Sequence, residues 1–563
     1  MTLLKCVCIG ILLTFVYACS HPIEIAGEGD VSSASGTRGC LLEEFQAEQD
    51  NCTENYVVGA YQETYYATPR PGWQFDRWSN YCASATGNEC SFNVAAQAVY
   101  AFWGESVPPL RAVFARHKVT GPIQPDSGIS LGTGFQPPSY QKKEFFLNGI
   151  ARSYTPTLPL PSDGKLMVTA NPESAAGTYK TRLVVLRPVD PAQFNGTVIV
   201  EWLNVSAGAD SPPEWIMAHN EFVRSGYAWV GVSAQATGVN ALKNGAATAA
   251  RYASLAHPGD SYSYDIYSQA GLRAAEAASP LLGGLTAERV IAAGQSQSAF
   301  RMVTYIDAIQ PLEQVYDAFL VHSRWGYGAA ISQPPLPTYN FPAPAPIRDD
   351  LDVPVMVVQA EGDVIVSNLA ARQPDTPLFR QWEMAGTAHA DAYTLQGLND
   401  PGDGSGALAM FGFLRAPTNP FGCANPINAG AHHWILQAAF DGLDNWLRTG
   451  VAPPTAPPLE AVSSSPVVLA RDVHGNALGG VRSPQVDVPV ATLDSENSGI
   501  FFCGLFGRTV PFSAGDVLGL YGTKESFLSQ WLDALDEGVQ NGFLLEADTG
   551  ELEAAAGAWD FPN

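Results

Sequence analysis

From about residue 141 to the C-terminus, short apolar runs alternate with helical patterns. Thr197–Trp202, Ala228–Ser233, Val290–Ala293, Ala318–Val321 and Val353–Gln359 are nearly continuous in apolar residues. A strand reads that way when both of its faces are covered. Thr181–Leu186 and Arg380–Ala385 complete the predicted strands, and Pro213–Arg224, Tyr264–Ala278 and Ser298–Ile309 predict helices between them. Strands alternating with helices predict an α/β architecture, a mostly parallel sheet covered on both faces. Residues 38–116 differ: aromatic and β-branched residues come in short runs, with Trp73, Phe75 and Trp78 in a strand-then-turn phrase, which predicts a small β-rich module. Residues 117–140, rich in Gly, Pro and Ser, predict a linker, and the small polar residues of 19–37 predict a flexible tether.

A chain of 563 residues suggests two to four domains, at ~100–200 residues each. With 46% hydrophobic and 15% charged residues, it is not a mainly disordered chain. Its 55 acidic against 30 basic residues leave a net charge of −25. That excludes phosphate binding by clustered cations, so no nucleic-acid partner is expected, and it excludes attachment to a membrane through a polybasic patch. Cys6–Val16 is apolar but too short to span a bilayer, and it has the length of a signal-peptide core. The following Val16-Tyr17-Ala18-Cys19 resembles a bacterial lipobox. It implies a signal peptide over residues 1–18, lipidation of Cys19 and attachment to a membrane through that lipid. Ser20 in place of an aspartate favours the outer membrane. Six of the nine cysteines then remain, an even number in an exported chain, which suggests disulfides. Proximity favours Cys40–Cys52, Cys82–Cys90 and Cys423–Cys503 among the 15 possible connectivities. No CxxC pair or nearby histidine pair points to zinc, and no metal is expected.

The chemistry concentrates in Val290-Ile291-Ala292-Ala293-Gly294-Gln295-Ser296-Gln297-Ser298, an apolar strand ending in Gly-x-Ser-x-small where a helix begins. A nucleophile elbow needs this arrangement, because the serine sits on a sharp turn and small neighbours let strand and helix approach. A serine hydroxyl is a weak nucleophile and requires a base held by a carboxylate. In α/β-hydrolases the chain order is serine, acid, histidine. The strand Val353–Gln359 runs into an acidic turn with Asp363 as the favoured acid and Glu361 as the alternative. The next strand leads to His389, the candidate base. The oxyanion donors are expected from the N–H of Gln297 and from the loop 203–208, near Asn204 or Val205.

Two resemblances extend this reading. Ala67-Thr68-Pro69-Arg70-Pro71-Gly72-Trp73 through Trp78 resembles the divergent B-repeat module of internalin-type surface proteins, which implies a spacer or, alternatively, a binding unit. Glu201-Trp202-Leu203-Asn204-Val205-Ser206-Ala207-Gly208, Gly294-Gln295-Ser296-Gln297-Ser298 and Trp382-Glu383-Met384-Ala385-Gly386-Thr387-Ala388-His389 resemble a bacterial "α/β-hydrolase domain" family from about residue 140 onward. That implies an α/β-hydrolase fold over 141–563 and hydrolysis of a small-molecule or polymeric ester, with no cofactor. A non-catalytic adhesion protein on a hydrolase scaffold, and an acyltransferase or peptidase using the same three residues, remain alternatives. Insertions at 325–350 and 393–433 and the segment after 450 are extra to the fold, and the first could wall the active-site mouth. His432-His433 is expected to begin a helix rather than to bind metal.

Overall fold

The computed structural model of the chain describes residues 7–8, 17–57, 61–70, 73–80, 82, 85, 87–94, 109–132, 134, 136–277 and 279–562. The expected signal peptide, residues 1–18, lies largely outside them. The chain divides into two units, residues 1–118 with 147–151, and residues 119–146 with 152–563.

In the first unit, one sheet runs in the order Ile23–Ala26, Leu110–Ala115, Gln74–Asn80. A second runs Gly39–Cys40, Gly29–Ser33, Tyr61–Pro69, Glu89–Val94. Alternate residues point inward, as the period of two in a strand requires. Ile23, Ile25, Val31, Tyr65, Ala67, Trp78, Leu110, Ala112 and Phe114 form its core. The expectation of a flexible tether over 19–37 is therefore corrected. Ile23-Glu24-Ile25-Ala26 alternates apolar with less apolar positions and is a core strand of the module, so the module starts well before residue 38. Cys40–Cys52 and Cys82–Cys90 are bonded, with Cα atoms 5.1 and 5.9 Å apart.

The second unit is built on a mixed sheet. Beside residues 140–146 its strands follow in the order Gly177–Pro188, Ala228–Val232, Thr197–Trp202, Arg289–Gln295, Ala318–His322, Val355–Ala360, Phe379–Met384. Gly177–Pro188 pairs antiparallel with Ala228–Val232, and every pairing from there to Phe379–Met384 is parallel. Helices Pro213–Arg224 and His432–Thr449 pack together against the sheet, where Ile291, Ala293, Leu320, Met356 and Val358 share a core with Trp434 and Phe440. The alternate residue Phe319 meets Tyr305 and Tyr316 instead, so both faces of the strand are covered, as its unbroken apolar pattern requires. Part of the expected linker is pinned to this unit: Leu131 is buried in its core and the Ser130 N–H donates to the Tyr252 hydroxyl. Chain order reverses between Thr197–Trp202 and Arg289–Gln295. In open α/β sheets such a switch point opens a crevice at the carboxyl ends of the strands.

Candidate active site

Ser296 follows the strand Arg289–Gln295 and precedes the helix Gln297–Thr304. Its φ of 60° and ψ of −119° lie where L-residues pay a steric cost. The turn is sharp enough that a Cβ on Gly294 would stand 3.1 Å from the Ser298 Cβ and 3.2 Å from the Met302 Cγ. That contact is the physical reason for small residues at 294 and 298. The Ser296 N–H donates to the His322 carbonyl of the adjacent strand at 2.9 Å, fixing the turn to the sheet.

His389 lies in the loop after Phe379–Met384, and Asp363 in the short helix Glu361–Val366 that follows Val355–Ala360. The sheet brings both to Ser296. His389 Nε2 is 2.8 Å from Ser296 Oγ, and His389 Nδ1 is 2.6 Å from Asp363 Oδ1. Asp363 is fully buried, and its Oδ2 accepts the Ala360 N–H at 2.9 Å. Burial alone would raise its pKa, but the His389 ring and these hydrogen bonds outweigh burial and hold the carboxyl below its ordinary range.

The alternative acid is corrected. Glu361 does not reach His389: one oxygen accepts the Gly386 N–H at 2.6 Å and the other meets Arg471 at 3.3 Å. Burial, opposed by Arg471, pushes Glu361 up to about 7. Position in the acidic turn decides between the two, since residues 361 and 363 leave the turn in different directions.

The oxyanion candidates also separate. Gln297 opens the helix, so its N–H has no intrahelical acceptor. The expectation that the Asn204 N–H is a second donor is corrected, because it donates to the Ser211 carbonyl at 2.9 Å. The Asn204 side chain instead braces the loop, donating to the Gln295 carbonyl at 3.0 Å and accepting the Ser206 N–H at 2.8 Å. Among the described residues no hydrogen bond engages the Val205 N–H, which leaves it as the second candidate.

A cavity of about 290 Å³ opens onto Ser296 and His389. Ile216, Met217, Phe300 and Trp325 form part of its wall, the last from the insertion expected at the mouth. The Trp325 ring centroid lies 6.1 Å from that of His389. Phe502, Leu505 and Phe506 complete the wall from the helix Phe501–Phe506. The sequence reasoning missed these three. The available signal was Cys503, which is bonded to Cys423 with Cα atoms 5.5 Å apart and ties this helix to a distant segment. His322 and His432, also missed, line the floor. His432 begins the helix His432–Thr449, and no cluster of three or more His, Cys, Asp or Glu suited to a metal ion occurs among the described residues.

The chain is similar to solved hydrolases at low identity. An esterase from Rhizomucor miehei is 15% identical over 38% of this chain and 66% of its own, with a TM-score of 0.20. An alpha-beta serine hydrolase homologue from Coxiella burnetii is 13% identical over 39% and 87%, with a TM-score of 0.22. A glucuronoyl esterase from Teredinibacter turnerae is 12% identical over 44% and 76%, with a TM-score of 0.22. No curated relative matches the sequence. The family described as alpha/beta hydrolase domain matches residues 86–554, most of the chain, and the protein belongs to that family.

Proposed function

We propose that this hydrolase cleaves carboxylic esters through a serine acyl-enzyme, and that it is exported and held at the cell envelope by lipid on Cys19. Ser296 Oγ attacks the ester carbonyl while His389 Nε2 takes its proton. Asp363 accepts the Nδ1–H, which keeps the Nε2 lone pair facing the serine and stabilises the imidazolium. The Gln297 and Val205 N–H groups receive the oxyanion. As the tetrahedral adduct collapses, His389 returns the proton to the leaving alkoxide and the alcohol departs. Water then attacks the acyl-enzyme, giving its proton to His389, and the carboxylic acid leaves as Ser296 regains a proton.

One observation carries this reading: the Asp363–His389–Ser296 hydrogen bonds of 2.6 and 2.8 Å, closing on a serine held at positive φ. Among the described residues the cavity wall contains no Lys, Arg, Asp or Glu, which suits a neutral ester. A fluorophosphonate probe should label the wild type and not Ser296→Ala. Equal labelling of both would remove Ser296 from the mechanism. Release of p-nitrophenol from p-nitrophenyl esters of varied acyl length tests the ester class, and a folded protein that turns over none of them would overturn it. The anchor is tested in cells fed an alkyne-tagged palmitate: tagging of the wild type and not of Cys19→Ala supports it, and tagging of neither refutes it.

A further inference from the structure

We propose that Glu214, His322 and His432 form a positioning chain that ties the nucleophile turn to the His389 loop, with Glu214 at its buried end as a neutral hydrogen-bond donor. The proposal rests on the reading of Ser296 and His389 as the reacting pair, but the state of the chain can be measured without turnover.

The links are short and their directions are determined. His432 Nδ1 lies 3.1 Å from the Ala388 carbonyl, His432 Nε2 lies 2.7 Å from His322 Nε2, and His322 Nδ1 lies 3.2 Å from Glu214 Oε2. The two imidazole rings meet edge to face, 4.9 Å apart at 85°. A carbonyl only accepts, so His432 carries a proton on Nδ1. A neutral His432 therefore presents a lone pair at Nε2, and His322 donates to it from Nε2–H. A neutral His322 is then an acceptor at Nδ1, and the donor there is the carboxylic acid O–H of Glu214; moving that one proton onto Nδ1 would give a buried imidazolium–carboxylate pair instead, which burial of both groups opposes.

The competing arrangement moves each of two protons one link along. It leaves an anionic Glu214 and a cationic His432, both fully buried. Separating charge there is costly unless each ion is compensated. Glu214 is not: its Oε1 has no hydrogen-bond partner among the described residues. Its neighbour Glu201 is the better home for a charge, since it accepts the Glu214 N–H at 3.0 Å, the Trp215 N–H at 3.1 Å and the Trp229 indole N–H at 2.8 Å. Burial and the nearby Glu214 carboxyl raise Glu201 as well, so two such close, buried carboxyls do not both ionise readily, and the three hydrogen bonds favour a charge on Glu201 rather than on Glu214. Burial acts in the same direction, raising Glu214 well above the carboxylate range, pushing His322 down to about 3 and lowering His432. Asp363 and His389 also face the two histidines, and His433, the next residue of the helix, faces His432.

Two attachments of the chain explain its use. The backbone carbonyl of His322 accepts the Ser296 N–H, and Ala388, whose carbonyl takes the last hydrogen bond, immediately precedes His389. One chain thus sets the separation of nucleophile and base from the floor of the cavity.

Nitrogen-15 NMR of the histidine-labelled full chain, assigned with single His→Asn variants, tests it. A neutral Nε2–H tautomer at His322 and a neutral Nδ1–H tautomer at His432 are expected, unchanged from about pH 5 to about pH 8. An imidazolium at either ring, or reversed tautomers, would overturn the proposal. The same pattern should persist in Ser296→Ala, so a failure of the catalytic reading and a failure of the chain are distinguishable. In turnover, His432→Phe should lower kcat about tenfold with KM little changed, because the ring volume stays and the Ala388 hydrogen bond goes. His432→Asn, whose amide nitrogen takes the place of Nδ1, should recover most of that loss. Equal losses in the two variants, or losses that merely follow the folded fraction, would refute a positioning role.

Discussion

Changing Asp363 to Asn alters one atom of the site, and the surroundings dictate how the new amide must lie. Asp363 Oδ2 accepts the Ala360 N–H at 2.9 Å while Oδ1 faces His389 Nδ1 at 2.6 Å. In the variant the amide oxygen must keep the Ala360 N–H, since an NH₂ there would set two donors against each other in a fully buried place. The NH₂ is then aimed at His389 Nδ1. The imidazole must accept at Nδ1 and carry its proton on Nε2, where it faces Ser296 Oγ at 2.8 Å as a donor and cannot act as a base. Loss of the correct tautomer costs a factor of ~10⁴ in kcat, about 5.5 kcal/mol of transition-state stabilisation. The assay is kcat on a p-nitrophenyl ester, with thermal melting as the control for folding and Glu361→Gln measured alongside. Glu361 contacts Gly386 and Arg471 rather than His389, so its amide should leave kcat within about threefold. A loss below tenfold for Asp363→Asn, or matching losses in both variants, would refute the reasoning.

Folding lifts the pKa of Glu361 from the ordinary glutamate value of 4.5 to about 7. A raised folded-state value means that stability is fully present below the unfolded pKa and declines as the pH climbs to the folded one. Glu361→Gln should therefore gain on wild type by roughly 3 kcal/mol across that window and no further above it; denaturant titrations that give a pH-independent difference would contradict this. Replacing both Cys423 and Cys503 by Ser opens a loop of 80 residues. Loop entropy puts the loss near ~4.5 kcal/mol, and because the same helix carries Phe502, Leu505 and Phe506, KM should rise as the melting temperature falls. An unchanged KM would detach this helix from substrate binding. Asn204→Ala should lower kcat about tenfold with little effect on KM, since the loop that presents Val205 loses two braces; an effect confined to KM would make Asn204 a substrate contact instead.

Much of this was legible in the chain because both faces of the central strands are buried. Thr197–Trp202 and the helix Pro213–Arg224 are found with the bounds their patterns predict. The Gly-x-Ser-x-small phrase marks the elbow because the close approach of strand and helix leaves no room for larger residues. The start of the module was hidden because Ile23–Ala26 sits amid small polar residues, and its partner Leu110–Ala115 lies far along the chain.

Sequence determined the order of serine, acid and histidine, the strand-to-helix turn that exposes Ser296, and the pool of cysteines to be paired. It did so through local patterns, which depend only on neighbours in the chain. Tertiary structure alone decided that Asp363 rather than Glu361 meets His389, that the Asn204 N–H is already occupied, and that the helix Phe501–Phe506 closes the cavity. It also decided that Glu214, His322 and His432 stand in line beneath the site. Each of these depends on the direction of a hydrogen bond between segments far apart in the chain, or on which distant wall a helix reaches, and neither is encoded in the spacing of residues along a strand or a helix.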